Sequence, residues 1–339
     1  LISPWNLPLY LATWKIAPAI AFGNTCVIKP SELTPRTVTL LAEVLQDAKL
    51  PPGVVNIVHG LGSECGQALV EHPDVPAISF TGGTCTGKRL AATAAPLLKK
   101  VSLELGGKNA NIIFADVENV DACVQTTLRS SFANQGEICL CGSRILVQRS
   151  IWDRFVPKFV EATKGLQAGD PLDPKSFMGA LITEAHMKKV LSYIELAKQT
   201  GGTVLAGGGV PEGLSSRCKN GFFVSPTVIS GLGPHARVNQ EEIFGPVVSL
   251  IPFETEDEAV TIANGTSYGL SASVWTGSAQ RANRLSARLD VGYVWINCWL
   301  VRDLRMPFGG VKASGIGREG GMFAMDFYTE VKSVCSMLQ

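Results

Sequence analysis

The sequence has almost no net charge, few histidines and no uninterrupted apolar run of membrane-spanning length, and each shortage excludes a class of function. Thirty basic side chains against 29 acidic ones leave a formal charge of +1, so no basic footprint exists for nucleic acid or an anionic membrane surface. The apolar stretch Leu7 to Phe22 is broken by Pro8, Lys15 and Pro18, which argues against a transmembrane helix. His59, His72, His186 and His235 are scattered, and no second close cysteine pair accompanies Cys139 and Cys141, so a closed zinc site is not expected. A secretory n-region and cleavage pattern are also missing. The first residue is Leu1, directly inside a motif, which reads as a fragment whose preceding segment is absent.

What is present fits a globular protein of two domains: 339 residues, 46% of them hydrophobic and 17% charged. Nine cysteines, an odd number without framework spacing, read as reduced thiols in a cytoplasmic setting. The first third alternates strand and helix. A helical stretch over Leu9 to Phe22 is followed by strand Thr25 to Ile28, and a helix opened by Pro35 precedes strand Val54 to Val58. Further strands are expected at Ala77 to Phe80 and from Lys100. That alternation predicts a parallel sheet with crossover helices, whose ligands lie beyond the carboxyl ends of the strands. From Arg144 a second alternating unit begins, with helices at about Trp152 to Leu166 and Glu184 to Thr200.

Several stretches carry chemistry. Asn134 to Arg144 places Cys139 and Cys141 between a glycine turn and a β-like run, where either sulfur suits a nucleophile and either also suits an inert core. Asn6, fixed between Pro4 and Pro8, can donate its amide to a developing oxyanion, or simply form a turn. Lys29 and Glu32 follow a strand; there a carboxylate can accept both hydroxyls of an adenosine ribose and repel a 2′-phosphate, while an exposed charged loop is the plainer reading. Gly82, Gly83 and Gly87-Lys88 lie between a strand and a helix, as a phosphate-binding turn requires. Arg89, however, stands where a Walker-type loop needs a metal-binding hydroxyl. Glu104 sits in an apolar run before Gly106-Gly107, where burial would raise its pKa towards that of a usable base. Glu242 and Phe244, on a Gly-Pro turn, could hold a ribose and lay a ring against a nicotinamide; a core phenylalanine at a helix end is the alternative.

Taken together, PWNLP (Pro4 to Pro8), KPSE (Lys29 to Glu32), FTGG (Phe80 to Gly83), LELGGK (Leu103 to Lys108), NQGEICLCGSR (Asn134 to Arg144), EIFGPV (Glu242 to Val247) and PFGGVKASGIGRE (Pro307 to Glu319) stand in one order. In that order and spacing the chain resembles the NAD(P)-dependent aldehyde dehydrogenase superfamily over its whole length. The resemblance implies an α/β fold of aldehyde dehydrogenase type, a Rossmann-type parallel-sheet cofactor domain beside an α/β catalytic domain. It implies Cys139 as nucleophile, Glu104 as general base and Asn6 in the oxyanion hole. It places Lys29 and Glu32 at the adenosine ribose, Gly82, Gly83, Gly87 and Leu105 at the cofactor phosphates and turn, and Glu242 and Phe244 at the nicotinamide. Glu32 then favours NAD over NADP.

The implied domains are residues 1–106 for the cofactor, 107–306 for catalysis, 307–325 as a return to the cofactor domain, and a strand-like oligomerisation tail over 326–339. A homo-oligomer acting on a small-molecule aldehyde is expected, with no nucleic-acid or membrane partner and no metal. Arg302, in the loop before PFGG, is the candidate clamp for a substrate carboxylate, with an ion pair to Asp303 as the alternative. A retinoid-type aldehyde, or a truncated non-catalytic chain that associates with full-length subunits, is the competing reading.

Overall fold

The structure, a computed structural model, describes residues 1–338, which divide into two compact units. The first comprises Leu1–Leu105, Arg302–Gly309 and the chain from Gly315 onward; the second comprises Gly106–Val301 and Gly310–Ser314.

In the first unit Pro8 opens helix α1 (Pro8–Ala21), where its missing N–H costs no hydrogen bond. Residues Ala12, Lys15, Ile16 and Ala19, spaced at three and four, form the inward face of α1, so that a lysine occupies a core position. There follow β1 (Cys26–Ile28), α2 (Arg36–Asp47), β2 (Val55–Ile57), α3 (Gln67–Glu71), β3 (Ala77–Thr81), α4 (Thr84–Ala94) and β4 (Lys100–Glu104). β1 runs parallel to β2, and β3 parallel to β4. Ile2 joins the two pairs by bridging Lys29 on one side and Phe80 on the other. Its N–H donates to the Ser79 carbonyl at 2.9 Å, and its carbonyl accepts from the Thr81 N–H at 3.2 Å. The sheet is therefore continuous from β2 to β4, as the sequence pattern predicted.

The second unit contains β5 (Ala110–Ile113), α5 (Val120–Phe132), β6 (Arg144–Gln148), α6 (Arg149–Lys164), α7 (Glu184–Gln199), β7 (Thr203–Ala206) and β8 (Thr227–Ser230). It continues with α8 (Arg237–Gln240), β9 (Val247–Phe253), α9 (Glu256–Asn264), β10 (Tyr268–Gly269), β11 (Ser271–Trp275), α10 (Ala279–Arg288), β12 (Tyr293–Ile296) and β13 (Val311–Lys312). Seven strands form one sheet in the order β12-β11-β5-β6-β9-β8-β7, while β10 pairs with β13. Only the β7–β8 pair of the large sheet is antiparallel. Its central strands are buried on both faces and correspondingly apolar, as in Ile112, Ile113, Ile145, Leu146 and Val147. One face packs under α5 and α6 through Phe132, Phe155 and Phe159; the other packs under α9 and α10 through Ala259, Ile262 and Leu285. Side-chain oxygens of Asn119, Thr183, Thr255 and Ser278 accept backbone N–H bonds at the starts of α5, α7, α9 and α10, which fixes where those helices begin.

The chain closes with β14 (Gly315–Ile316), antiparallel to β4, and α11 (Phe323–Tyr328). The expected oligomerisation strand would take its ladder from another subunit; among the described residues of the single chain the tail has none. Phe327 and Tyr328 are helical, and residues 329–338 form no regular element. Tyr328 is pulled in because its hydroxyl donates to the Lys15 carbonyl at 3.1 Å, and beyond it no strand within the chain offers a ladder. Helix α6 also starts at Arg149, three residues before the expected Trp152. No helix among the described residues is long and apolar enough to cross a membrane.

Candidate active site

The arch that carries Cys139 and Cys141 belongs to the second unit. Asn134, Gln135 and Gly136 take φ of 49°, 58° and 71° in succession, a left-handed turn that is costly for the two non-glycine residues. At Gly136 a side chain is impossible for a second reason: a Cβ would lie 2.3 Å from the Gly245 carbonyl oxygen. The arch is then tied down at its carbonyls. Asn109 Nδ2 donates to the carbonyls of Cys139 (2.6 Å) and Cys141 (2.9 Å), and Trp299 Nε1 donates to that of Leu140 (3.0 Å). Arg144, 1% exposed, holds the exit by donating to the carbonyls of Lys108, Ile262 and Ala263. The two cysteines separate clearly. Cys141 is buried, and burial pushes its thiol up to about 12, whereas Cys139 is half-buried. A thiolate nucleophile needs access, so the geometry favours Cys139. All nine cysteines are thiols.

A cavity of about 20 Å³ touches Cys139, Gly136, Gly107, Glu242 and Phe244, so three of the sequence-predicted residues share one wall. Glu242 accepts a hydrogen bond from the Gly107 N–H at 3.0 Å, and a Cβ on Gly106 would lie 2.2 Å from its Oε2. The glycine pair exists, then, to let a carboxylate approach the backbone. Burial raises the pKa of Glu242, and the Gly107 N–H opposes that rise. Phe244 has φ of 61°. His186 steadies it: Nε2 lies 2.6 Å from the Phe244 carbonyl, and the two rings meet edge to face at 6.2 Å. Behind His186 stands Glu137, 3.5 Å away and 2% exposed, with burial lifting its carboxyl to about 8.

In the first unit Glu104 ends β4 and is 4% exposed. Its Oε1 has no hydrogen-bond partner among the described residues. Burial first, and the Glu319 carboxylate second, hold its pKa well above the usual carboxylate range, against the opposing charges of Lys15, Arg318 and Arg302. The inward Lys15 forms a buried ion pair with Glu319 at 2.8 Å and donates to Ser79 Oγ at 2.8 Å. Gly309 leaves room here, since a Cβ would sit 3.0 Å from Glu104 Oε1. A buried carboxyl with a raised pKa and an unsatisfied oxygen is a site for a water and a proton acceptor.

Also in the first unit, Lys29 and Glu32 are brought together at 3.2 Å, with Lys29 Nζ donating further to the carbonyls of Pro30 (2.8 Å) and Gly60 (2.9 Å). Glu32 faces a cavity of about 260 Å³ beside α4. Gly82 and Gly83 lead into α4, which begins at Thr84 without a side-chain cap. Gly87 serves packing, because a Cβ there would lie 2.4 Å from the buried Leu105 side chain. Asn6 lies half-buried in the bend before α1. Arg302 makes no ion pair with Asp303, whose carboxylate is taken by Arg305. Its guanidinium lies over Phe308 (4.2 Å) and near Trp14 (5.1 Å), and it donates to the Tyr10 hydroxyl at 3.1 Å.

Sequence reasoning missed Lys15, Glu319, Asn109, Glu137 and His186 as supporting groups. The signal for Lys15 was available: one cation on the apolar face of an amphipathic helix. For Asn109 and His186 none was, since their partners are backbone carbonyls distant in sequence.

The aldehyde dehydrogenase family model matches residues 1–334. A 2-aminomuconic semialdehyde dehydrogenase of Danio rerio is 55% identical over 335 residues, covering 98% of this chain and 69% of its own. Among solved structures, a putative aldehyde dehydrogenase from Burkholderia cenocepacia superposes with a TM-score of 0.95 at 46% identity, over 98% of this chain and 68% of that one. A betaine aldehyde dehydrogenase from Staphylococcus aureus, solved with NAD+, gives 0.93 at 42% identity, over 96% and 66%. The expected fold class is thereby established, and the chain belongs to the aldehyde dehydrogenase family.

Proposed function

We propose that this chain oxidises a carboxylated semialdehyde, 2-aminomuconic semialdehyde, to the corresponding acid with NAD. The observation that carries the reading is Glu104, a buried carboxyl of raised pKa with one oxygen unpartnered. Such a group suits hydrolysis of an acyl-enzyme by water rather than transfer to a thiol cosubstrate. Cys139 is the nucleophile: its thiolate adds to the aldehyde carbon, giving an alkoxide to which the Asn6 amide donates. NAD, when bound, would supply the hydride acceptor; Lys29 and Glu32 would hold its ribose, the Gly82–Gly83 turn its phosphates, and Glu242 and Phe244 its nicotinamide end. Departure of hydride from the thiohemiacetal carbon leaves a thioester on Cys139. Glu104 then takes a proton from water, the hydroxide attacks the acyl carbon, and the Cys139 thiolate leaves. Arg302, which has no carboxylate partner among the described residues, supports an acidic substrate, because its edge donors can receive one while its face rests on Phe308.

The test is NADH formation by this chain and its Cys139→Ala and Arg302→Leu forms, with the muconic semialdehyde and with retinal. The reading expects turnover of the acidic aldehyde, none in Cys139→Ala, and a KM raised at least tenfold in Arg302→Leu with little change in kcat. Preference for retinal, or turnover surviving in Cys139→Ala, would refute it.

A further inference from the structure

The first-unit cavity has one charged side chain that the proposed function leaves idle. On α4, Thr86, Arg89 and Leu90 recur at the spacing of one helix face and line the cavity together with Leu61, Gly62 and Glu32. Arg89 is exposed and, among the described residues, forms no ion pair and no side-chain hydrogen bond. The nearby cation, Lys29, is spent: it is 2% exposed, and its Nζ already donates to two carbonyls and to Glu32. A guanidinium with unused charge therefore flanks a cleft of mixed lining, in which Leu61, Val70, Phe80 and Leu90 stand beside Ser63, Gln67 and Thr86.

We propose that Arg89 binds the adenine base of the dinucleotide, laying the flat of its guanidinium on the purine face while Leu61 and Gly62 cover the other. This rests on the reading of the cavity as the adenosine subsite and adds a base-recognition residue to it. Two ligand groups could engage a guanidinium here, an aromatic face or a 2′-phosphate. The Glu32 carboxylate, which Lys29 helps to hold in its charged form, repels the phosphate, whereas nothing opposes stacking of a planar cation on a π system beside the apolar Leu61 and Leu90. The same chain already uses that contact where Arg302 lies 4.2 Å from the centre of the Phe308 ring. Lysine substitutes poorly, because an ammonium has charge but no plane to stack.

The test is calorimetric titration of the full chain and its Arg89→Ala and Arg89→Lys forms with AMP, adenosine 2′,5′-bisphosphate and nicotinamide mononucleotide. Stacking predicts that Arg89→Ala weakens AMP about five- to thirtyfold, that Arg89→Lys recovers only a minor part, and that nicotinamide mononucleotide is unaffected. AMP binding that is unchanged in Arg89→Ala, or fully restored in Arg89→Lys, overturns the proposal while the adenosine reading stands. Bisphosphate binding that exceeds AMP binding and collapses in Arg89→Ala overturns it in favour of a phosphate contact. No AMP binding by the unaltered chain, from a folded sample, overturns the adenosine reading and the proposal with it.

Discussion

Replacing Glu319 by Gln should change stability and the pH dependence of turnover in separable ways. The change removes one charge from a buried pair whose members are 0% and 5% exposed. Lys15 keeps its bond to Ser79 Oγ, and the amide oxygen can still accept from it, but its charge is left uncompensated in the core. Breaking a buried pair from one side costs about 3–5 kcal/mol, a large part of the roughly 5–15 kcal/mol that a domain has. Urea denaturation should report that loss. The double variant Lys15→Met/Glu319→Gln, which leaves no orphan charge, should recover most of it.

Glu104 should respond in the opposite sense. The Glu319 charge is the second cause holding its pKa up, and Lys15 opposes. In Glu319→Gln the repulsion disappears while the attraction remains, so the Glu104 pKa falls. The acid limb of the hydrolysis rate should move to lower pH, and the plateau should drop because the base is weaker. An unmoved limb in a folded variant would refute the assignment of Glu104 as the base. A double variant no more stable than the single one would refute the orphan-charge argument.

Three further outcomes follow from packing and burial. In Gly309→Ala the new methyl would lie 2.6 Å from the Gly317 carbonyl and 3.0 Å from Glu104 Oε1; stopped-flow should show the first-turnover release of NADH retained and steady-state turnover reduced at least tenfold. Asn109→Ala frees the carbonyls of Cys139 and Cys141 and the Ser271 N–H that Oδ1 accepts at 3.1 Å, which should cost about 1–3 kcal/mol for each buried group left unmet, with faster alkylation of Cys141 observed by mass spectrometry as the arch loosens. Lys108, whose ammonium is brought down to about 7 by burial first and by Arg144 second, binds fewer protons folded than unfolded above that pH. Stability should therefore rise by up to about 1.4 kcal/mol per pH unit from near pH 7 towards the unfolded lysine value, and Lys108→Met should flatten that slope in denaturant titrations at several pH values.

Much of the fold was legible because it rests on periodicity. The βαβ alternation of the first unit follows from apolar runs punctuated by Gly and Pro, and α5 and β6 fall where expected, at Val120–Phe132 and Arg144–Gln148. The helical turn at Phe323–Tyr328 was not legible, because Tyr328 is held by a hydrogen bond to the distant Lys15 carbonyl. The arch shows another limit. Asn134 is a residue that tolerates the left-handed region, but nothing local requires Gln135 to follow it there; that conformation is imposed by the ties at Asn109 and Trp299, which are long-range. Cys139 was chosen over Cys141 by resemblance; the physical difference between them, depth of burial, is not encoded in a two-residue spacing.

The second unit is inserted into the first, and that order has a cost in time. During synthesis β4 emerges with β3 on one side, but the strand for its other side, β14, is made about 210 residues later. At roughly 5–20 residues per second the delay is on the order of 10–40 s. Lys15 waits longer still, its partner Glu319 being 304 positions away. Throughout that interval the nascent first unit carries an open sheet edge and an unneutralised cation on what will be its core face, while the inserted unit has all the strands of its large sheet and can complete it first. The buried pair is thus a late check on assembly: Lys15 meets Glu319 only after the whole inserted unit has been made.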